Sequence, residues 1–474
     1  VNVSGTATIF WFRRDLRLRD NPALVEAVRS SKAKVLALFV IDEEFCSAAG
    51  PTRLAYLRRT LQALDGSLGG SLVLRHGEPT AVLLELARES GARAVVATGD
   101  YGPRGRARDE RVAATLAAAG VSVVFLDSPY VVAPGTVRTV AGSGCLVFGA
   151  FKRGWLREAV PAPLDAPEGV EWVRAPSRSL DELEHLGMRE RPDYFGELPD
   201  GPASRPPAAG EDAAWSQWSN FAEHLEGYEH DREVPGLDAT SRLSPFLRFG
   251  ALHPRQVLSA LEGTTPSHEK FRDELCWREF YADVLFHHPE SARRTFQPSM
   301  RALRVDHGPE ALERFHCWAR GETGYPLVDA GMRQLLEEGW MHNRVRMVAA
   351  SFLVKHLHLD WRWGAKWFMW RLVDADLASN QHGWQWAAGT GTDAAPFHRV
   401  FNPTLQATRF DPEGTYVHRY VDELRSTPAP ACLEPGGSSL LTSNYPAAIV
   451  DASEERLEAL RRFAEARASL AVGP

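Results

Sequence analysis

Five apolar runs rich in β-branched and aromatic residues mark the start of the chain: Ala7–Phe12, Lys34–Ile41, Ser71–Arg75, Ala92–Thr98 and Val121–Leu126. Between them lie Asn21–Ser31, Arg53–Leu68, Glu78–Ser90 and Arg104–Ala119, where apolar residues recur at helical spacing, as Val82, Leu83, Leu86 and Ala87 do. Continuous apolar strands separated by helices predict a parallel sheet covered on both faces. The first strand-to-helix turn reads FRRDLRLRDNPAL and not GxGxxG. Residues 1–130 are therefore expected to be a doubly wound, Rossmann-like α/β domain without the dinucleotide fingerprint. Residues 131–213 form a connector, which from about Val160 turns rich in Pro, Gly and acids (PAPLDAPEG, ELPDGPASRPPAAGED). It is expected to wrap over the surface with short helical pieces. Residues 214–474 read as helices almost throughout: Trp215–Glu226, Glu269–Phe286, Pro326–Glu338, Arg344–His356, Trp363–Leu377 and Ser453–Leu470. The fold class is thus α/β followed by all-α.

Composition narrows the function. A length of 474 residues suits two or three domains, and 44% hydrophobic with 24% charged residues excludes disordered, collagenous and disulfide-scaffold chains. Five scattered cysteines with no CxxC pair or metal-ligand spacing point to a reducing, cytoplasmic compartment. No apolar run approaches a membrane span, and no signal-peptide pattern opens the chain. A net charge of −7 argues against a non-specific nucleic-acid coat while leaving room for a local basic groove. Of 14 tryptophans, nine (Trp277, Trp318, Trp340, Trp361, Trp363, Trp367, Trp370, Trp384 and Trp386) fall between residues 277 and 386. They read either as a core of large rings or as stacking and redox-active rings around a heteroaromatic group. For Trp363, Trp367 and Trp370, at i, i+4 and i+7, core packing is the expectation.

Four segments carry candidate chemistry. Asp238–Pro254, DATSRLSPFLRFGALHP, places Thr240, Ser241 and Ser244 at a helix start, which suits either an anion site or a simple cap. Glu274–Tyr281, ELCWREFY, is too polar for a core helix and too aromatic for a solvated face. Gly339–Lys355 sets Asn343, Arg344 and Arg346 beside Met347. Arg371–Pro403 holds Asp374, Asp376 and Asn380, with Trp384 and Trp386 flanking Gln385. Carboxylates, an amide and paired indoles suit hydrogen bonding and stacking around a heteroaromatic ring.

FWFRRDLRLRDNPAL, TSRLSPFLRFG, WREFY, WMHNRVRM and DLASNQHGWQWAAGTGTDAAPFHRVFNP, in this order and spacing over residues 7–425, resemble the DNA photolyase/cryptochrome family. The resemblance implies an all-helical domain holding FAD non-covalently in a folded form, active as the anionic hydroquinone. By position, Tyr228, Thr240, Ser241, Arg242, Leu243 and Ser244 would hold the phosphates, with Trp340 and Asn343 near the folded cofactor. Asp374, Ala375 and Asp376 would meet the adenosine and flavin edges, Arg346 would pair with Asp374, and Asn380 would face flavin N5. An amide suits that last place because it can accept or donate, whereas a carboxylate would oppose an anionic ring.

The pocket residues resemble the cyclobutane-pyrimidine-dimer class: Asn343 and Met347 stand where (6-4) relatives carry two histidines. Glu274, Trp277, Met347 and Trp386 would receive a flipped-out dimer, with Arg278 and Tyr281 beside them. Arg232, Asn343, Arg344, Arg399 and Gln406 would contact the strand. The implied activity is light-driven electron transfer from reduced FAD to the dimer; the alternative is a cryptochrome-type photosensor without repair. The expected partner is damaged DNA, bound by a monomer with no membrane, metal or obligate protein partner. Trp384 and Trp361 match the inner and middle members of the family's tryptophan electron chain, but Val305 stands at the outer position. Arg104 and Gly105 replace the Asn-Glu pair of folate-binding relatives, so 8-hydroxy-deazaflavin is favoured over methenyltetrahydrofolate as a second chromophore.

Overall fold

A computed structural model describes residues 7–181, 183, 191–393, 399–435 and 444–471. Two compact units emerge: Val1–Glu190 with Ala208–Leu225 and Ser241–Pro289, and Arg191–Pro207 with Glu226–Thr240 and Glu290–Pro474. This division by compactness does not follow a linear partition at residues 130 and 213.

In the first unit β1 (Thr8–Phe12), β2 (Lys34–Ile41), β3 (Val73–His76), β4 (Ala94–Thr98) and β5 (Ser122–Leu126) form a parallel sheet in the order β3-β2-β1-β4-β5. Ile9 faces Leu36 on one side and Val95 on the other, and β1 is buried along its whole length. Its continuous apolar run is the consequence of helices on both faces. Four of those helices, Pro22–Ser30, Pro51–Ser67, Pro79–Ser90 and Pro103–Ala118, begin with proline, whose missing N–H costs nothing in a first turn. A sixth strand, β6 (Glu171–Trp172), lies in the connector and pairs with Lys34 and Val35. Two residues are too few for any periodicity, so the sequence pattern does not reveal it.

The charged run after β1 is a buried strut. Asp15 accepts from the Arg13 amide and the Thr98 hydroxyl. Arg17 donates to the Asp20 and Gly250 carbonyls, and Asp20 pairs with Arg255 at 2.8 Å. Gly250 is obligatory, because a Cβ there would meet the Arg14 carbonyl oxygen at 1.8 Å. The expected helix Trp215–Glu226 is instead Glu211–Ala222, starting after Gly210 at φ 98°. Glu211 at its first turn accepts from the Leu18 and Arg19 amides, which fixes the earlier start.

The helix Pro266–His287 carries two carboxylates inside this unit. Glu279 accepts from the amides of Val131 and Val132 and from the Trp155 indole; Asp283 accepts from the Gly135 amide. Burial pushes both carboxyls above their ordinary range, and these donors pull them back. The polar residues of this helix are therefore stitches to the connector.

The second unit is helical. Pro309–Arg320, Pro326–Glu338, Asn343–Lys355, Trp361–Arg371 and Leu377–Ala388 surround one core that includes Trp318, Trp367, Trp370 and Trp384. Trp367 and Trp370 are buried and Trp363 is half-buried, so the core reading of the stripe holds for two of its three rings. The expected Trp363–Leu377 helix is corrected to Trp361–Arg371. The chain is extended at Leu372, and Asp376 begins the next helix by accepting from the Ala378 and Ser379 amides. Trp384 lies against Gly364, where a Cβ would sit 2.1–2.7 Å from indole carbons. Gly364→Ala should therefore destabilise the protein by about 1–3 kcal/mol in denaturant unfolding. Unchanged stability would show that the indole yields freely.

Candidate functional site

The centre of the second unit is built on Arg346. Its Nη1 and Nη2 donate to the two oxygens of Asp374 at 3.2 and 2.8 Å, and its Nε donates to the Met341 carbonyl at 2.8 Å. The Asp374 side chain is 2% exposed, and the guanidinium lies 5.9 Å from the buried Trp340 ring. The expected Arg346–Asp374 pair is thus formed, in the bidentate geometry that gives such pairs their directionality. Ala375 is buried beside it, and Asp376 caps the helix that presents Asn380. The Asn380 amide donates to the Ala365 carbonyl at 3.0 Å and to Gln381 at 2.9 Å, which leaves its carbonyl as the acceptor end. Asn343 is exposed at the first turn of its helix, and Met347 and Trp386 are half-buried.

Trp384 is 2% exposed and meets Trp318 at 5.9 Å and Phe368 at 5.0 Å, both edge-on. Its Nε1 has no hydrogen-bond partner among the described residues, and neither has the buried hydroxyl of Thr240. Buried donors without partners call for an explanation, and a bound polar ligand is one. Trp361 is buried and donates to the Thr295 hydroxyl at 3.2 Å. Tyr228 is buried, with the Arg232 guanidinium 5.4 Å from its ring.

Cations gather in the same unit. The Arg344 guanidinium is lowered to about 10, first by burial and then by Arg232, Arg399 and Arg409. Arg344 pairs with Glu233 and lies 4.4 Å from the Phe410 ring. The sequence pointed to Arg232, Arg344 and Arg399 separately; the structure brings them together and adds Arg409 and Glu233. Arg409 sits one helical turn from Gln406, and that spacing could have flagged it. The Gln406 carbonyl oxygen is buried with no partner among the described residues. Lys355 donates to the Arg399 carbonyl at 3.0 Å.

The first unit holds the remaining expected residues. Glu274 is half-buried, 3.8 Å from Lys270. Trp277 is half-buried and stacks on Phe148, which sequence reasoning did not single out. Tyr281 lies 5.5 Å from Trp277. Arg278 is half-buried; its guanidinium donates to the Pro129 and Leu247 carbonyls and lies 4.6 Å from the Tyr130 ring, so it also braces the fold. Ser241 to Ser244 lead into a short helix. The helix is Ser244–Phe249, its cap is Leu243 with no side-chain cap bond, and Ser244 is exposed. Arg242 before it adopts φ 49°, a left-handed conformation that non-glycine residues hold only where surroundings enforce it. Arg53, buried inside a helix, is lowered to about 9 by burial and by Arg248. A charged residue on an apolar helix face was the available signal.

A family model described as the FAD binding domain of DNA photolyase matches residues 271–465, and one described as DNA photolyase matches residues 8–168. The chain is 38% identical to the deoxyribodipyrimidine photo-lyase of Halobacterium salinarum over 97% of this chain and 99% of that protein. A bacterial class III photolyase from Agrobacterium tumefaciens superposes with a TM-score of 0.89 at 36% identity, covering 99% of both chains. An archaeal photolyase from Sulfolobus tokodaii, described with two FAD molecules, gives 0.80 at 27% identity over 97% of this chain and 99% of that one. The chain belongs to the DNA photolyase family, and it carries that family's FAD-binding domain. Thr240's unpartnered hydroxyl, the Arg346 cation and the acceptor end of Asn380 fit such a cofactor.

Lys355 gives this unit a pH signature. Burial, then Arg399, lowers its amine to about 8, below the value near 10.4 expected in an unfolded chain. Below pH 8 both states are protonated and the folded state bears the cost of a buried cation. Between about 8 and 10.4 the unfolded chain holds the extra proton, so this contribution to stability rises with pH. Lys355→Met should flatten that rise relative to wild type in denaturant titrations. An identical slope in the two proteins would contradict the buried-cation account.

Proposed function

We propose that the chain repairs cyclobutane pyrimidine dimers in DNA in a light-driven reaction. The full-length likeness to deoxyribodipyrimidine photo-lyases carries this reading. Reduced FAD, when bound, would supply light-driven one-electron chemistry with no net redox change. Arg346 holds a fixed positive charge that favours a negatively charged reduced ring, with Asp374 fixing its direction. Asn380 offers a carbonyl to a ring N–H. Tyr228, Thr240 and the loop Ser241 to Ser244 hold the phosphates, and Trp340, Asn343, Ala375 and Asp376 border the cofactor. In the first unit Glu274 and Trp277 offer a carboxyl group and a stacking ring to a lesion; in the second Met347 and Trp386 offer an adaptable thioether and a stacking ring. Arg232, Arg344, Arg399 and Arg409 bind strand phosphates, and Gln406 adds a polar contact.

We further propose an 8-hydroxy-deazaflavin as second chromophore. Arg53 and Arg248 support it: two nearby guanidiniums, one pulled down to about 9, would be relieved by an anionic ring. The spectrum of protein purified from a deazaflavin-producing host decides this. Five free cysteines suit a reducing cytoplasm.

The test of function is direct. Photoreduced protein mixed with a thymine-dimer oligonucleotide should restore absorbance at the thymine band under blue light and not in darkness. Flavin photochemistry with no recovery would favour the photosensor reading. Trp384→Phe should lose light-driven reduction of oxidised FAD by external thiols while repair by chemically reduced protein survives. Wild-type photoreduction in that variant would remove Trp384 from the electron path. Arg409→Ala should weaken binding evenly across sequences and lower the salt slope by about 1. An unchanged slope would place Arg409 off the strand.

A further inference from the structure

We infer that Phe148 is a positioning residue that fixes the plane of the Trp277 indole, and with it the flat face offered to a pyrimidine dimer. The inference rests on the proposed lesion contact of Trp277. The two rings lie parallel within 5°, with centroids 3.8 Å apart. Rings this close and this nearly parallel press flat face to flat face, nearer than the usual separation of aromatic pairs. The elements that carry the two rings hold them there. Phe148 opens the short helix Phe148–Trp155, and that helix is pinned to Pro266–His287, which carries Trp277. The Trp155 indole donates to Glu279 at 2.6 Å, and the Lys152 amine lies 2.5 Å from Asp273. Phe280 packs edge-on against both rings, at 5.9 Å from Phe148 and 5.6 Å from Trp277, and Phe151 closes on Phe280 at 5.6 Å.

The consequence is chemical. A half-exposed tryptophan on a helix would sample several rotamers. With one face covered by Phe148, the indole keeps one orientation and only its opposite face remains for stacking. A buckled dimer bound on that face then meets a surface already ordered, which lowers the cost of binding. This assigns work to a connector segment that the sequence marks only as a surface wrap.

Phe148→Leu retains apolar bulk but no flat face, and Phe148→Tyr retains the face. Each would be assayed as full-length, FAD-loaded, photoreduced protein for binding and repair of a thymine-dimer oligonucleotide, with undamaged DNA alongside. Phe148→Leu should raise Kd and KM for dimer DNA about three- to tenfold with kcat nearly unchanged, leave undamaged DNA unaffected, and be rescued by Phe148→Tyr. In a Trp277→Ala background Phe148→Leu should add nothing further. Wild-type behaviour of Phe148→Leu, an equal loss on undamaged DNA, or fully additive losses with Trp277→Ala would overturn the inference. If Trp277→Ala itself binds dimer DNA like wild type, it is the lesion-contact reading that fails. As a readout independent of activity, the near-ultraviolet circular dichroism difference between wild type and Phe148→Leu should vanish when Trp277 is replaced by Ala. A difference that persists would place Phe148's influence elsewhere.

Discussion

The helical unit is organised by one guanidinium. Arg346 spends all three of its nitrogens at once, two on Asp374 and one on the Met341 carbonyl. It therefore ties the loop before its own helix to the extended turn that precedes Leu377–Ala388. Removing Arg346 would strand the nearly fully buried Asp374 carboxylate, a loss that typically costs about 3–5 kcal/mol. That turn exists because Asp376 starts a new helix there, and the new helix carries Asn380, Trp384 and Trp386. In the proposed function this structural ion pair also supplies the positive charge beside the cofactor.

Carboxylates play the comparable part in the sheet unit. Asp20 answers Arg255, and Glu279 and Asp283 answer amides of the connector. Each takes hydrogen bonds that irregular backbone could not find within a sheet or helix. Much of the charge in the recognisable motifs is thus scaffold. Arg17 and Arg278 belong to this group, while Arg344 and Arg409 belong to a cluster whose mutual repulsion suits a polyanionic strand.

Strand and helix identities were legible because their period follows directly from burial on two faces or one. Four helices of the sheet unit start at prolines, within two residues of the starts that the apolar spacing predicts. The break after Arg371 was not legible, because Leu372 and Val373 continue an apolar pattern and only the Asp376 cap interrupts it. Of the site, the Arg346–Asp374 pair was expected from the motifs, and the geometry agrees. Phe148, Arg409 and Glu233 were missed because their partners are distant in sequence. The bracing contacts of Arg278 were not legible, because a motif arginine looks the same in sequence whether it faces solvent or two backbone carbonyls.

The central claim is that this scaffold holds a light-excited electron donor against a pyrimidine dimer. An action spectrum tests it most directly, with dimer loss measured at equal photon flux across the near ultraviolet and blue in photoreduced protein. The account predicts a rate that follows the absorption of the bound chromophores and falls to zero in darkness. Dimer loss in the dark, or a rate indifferent to chromophore absorption, would contradict it.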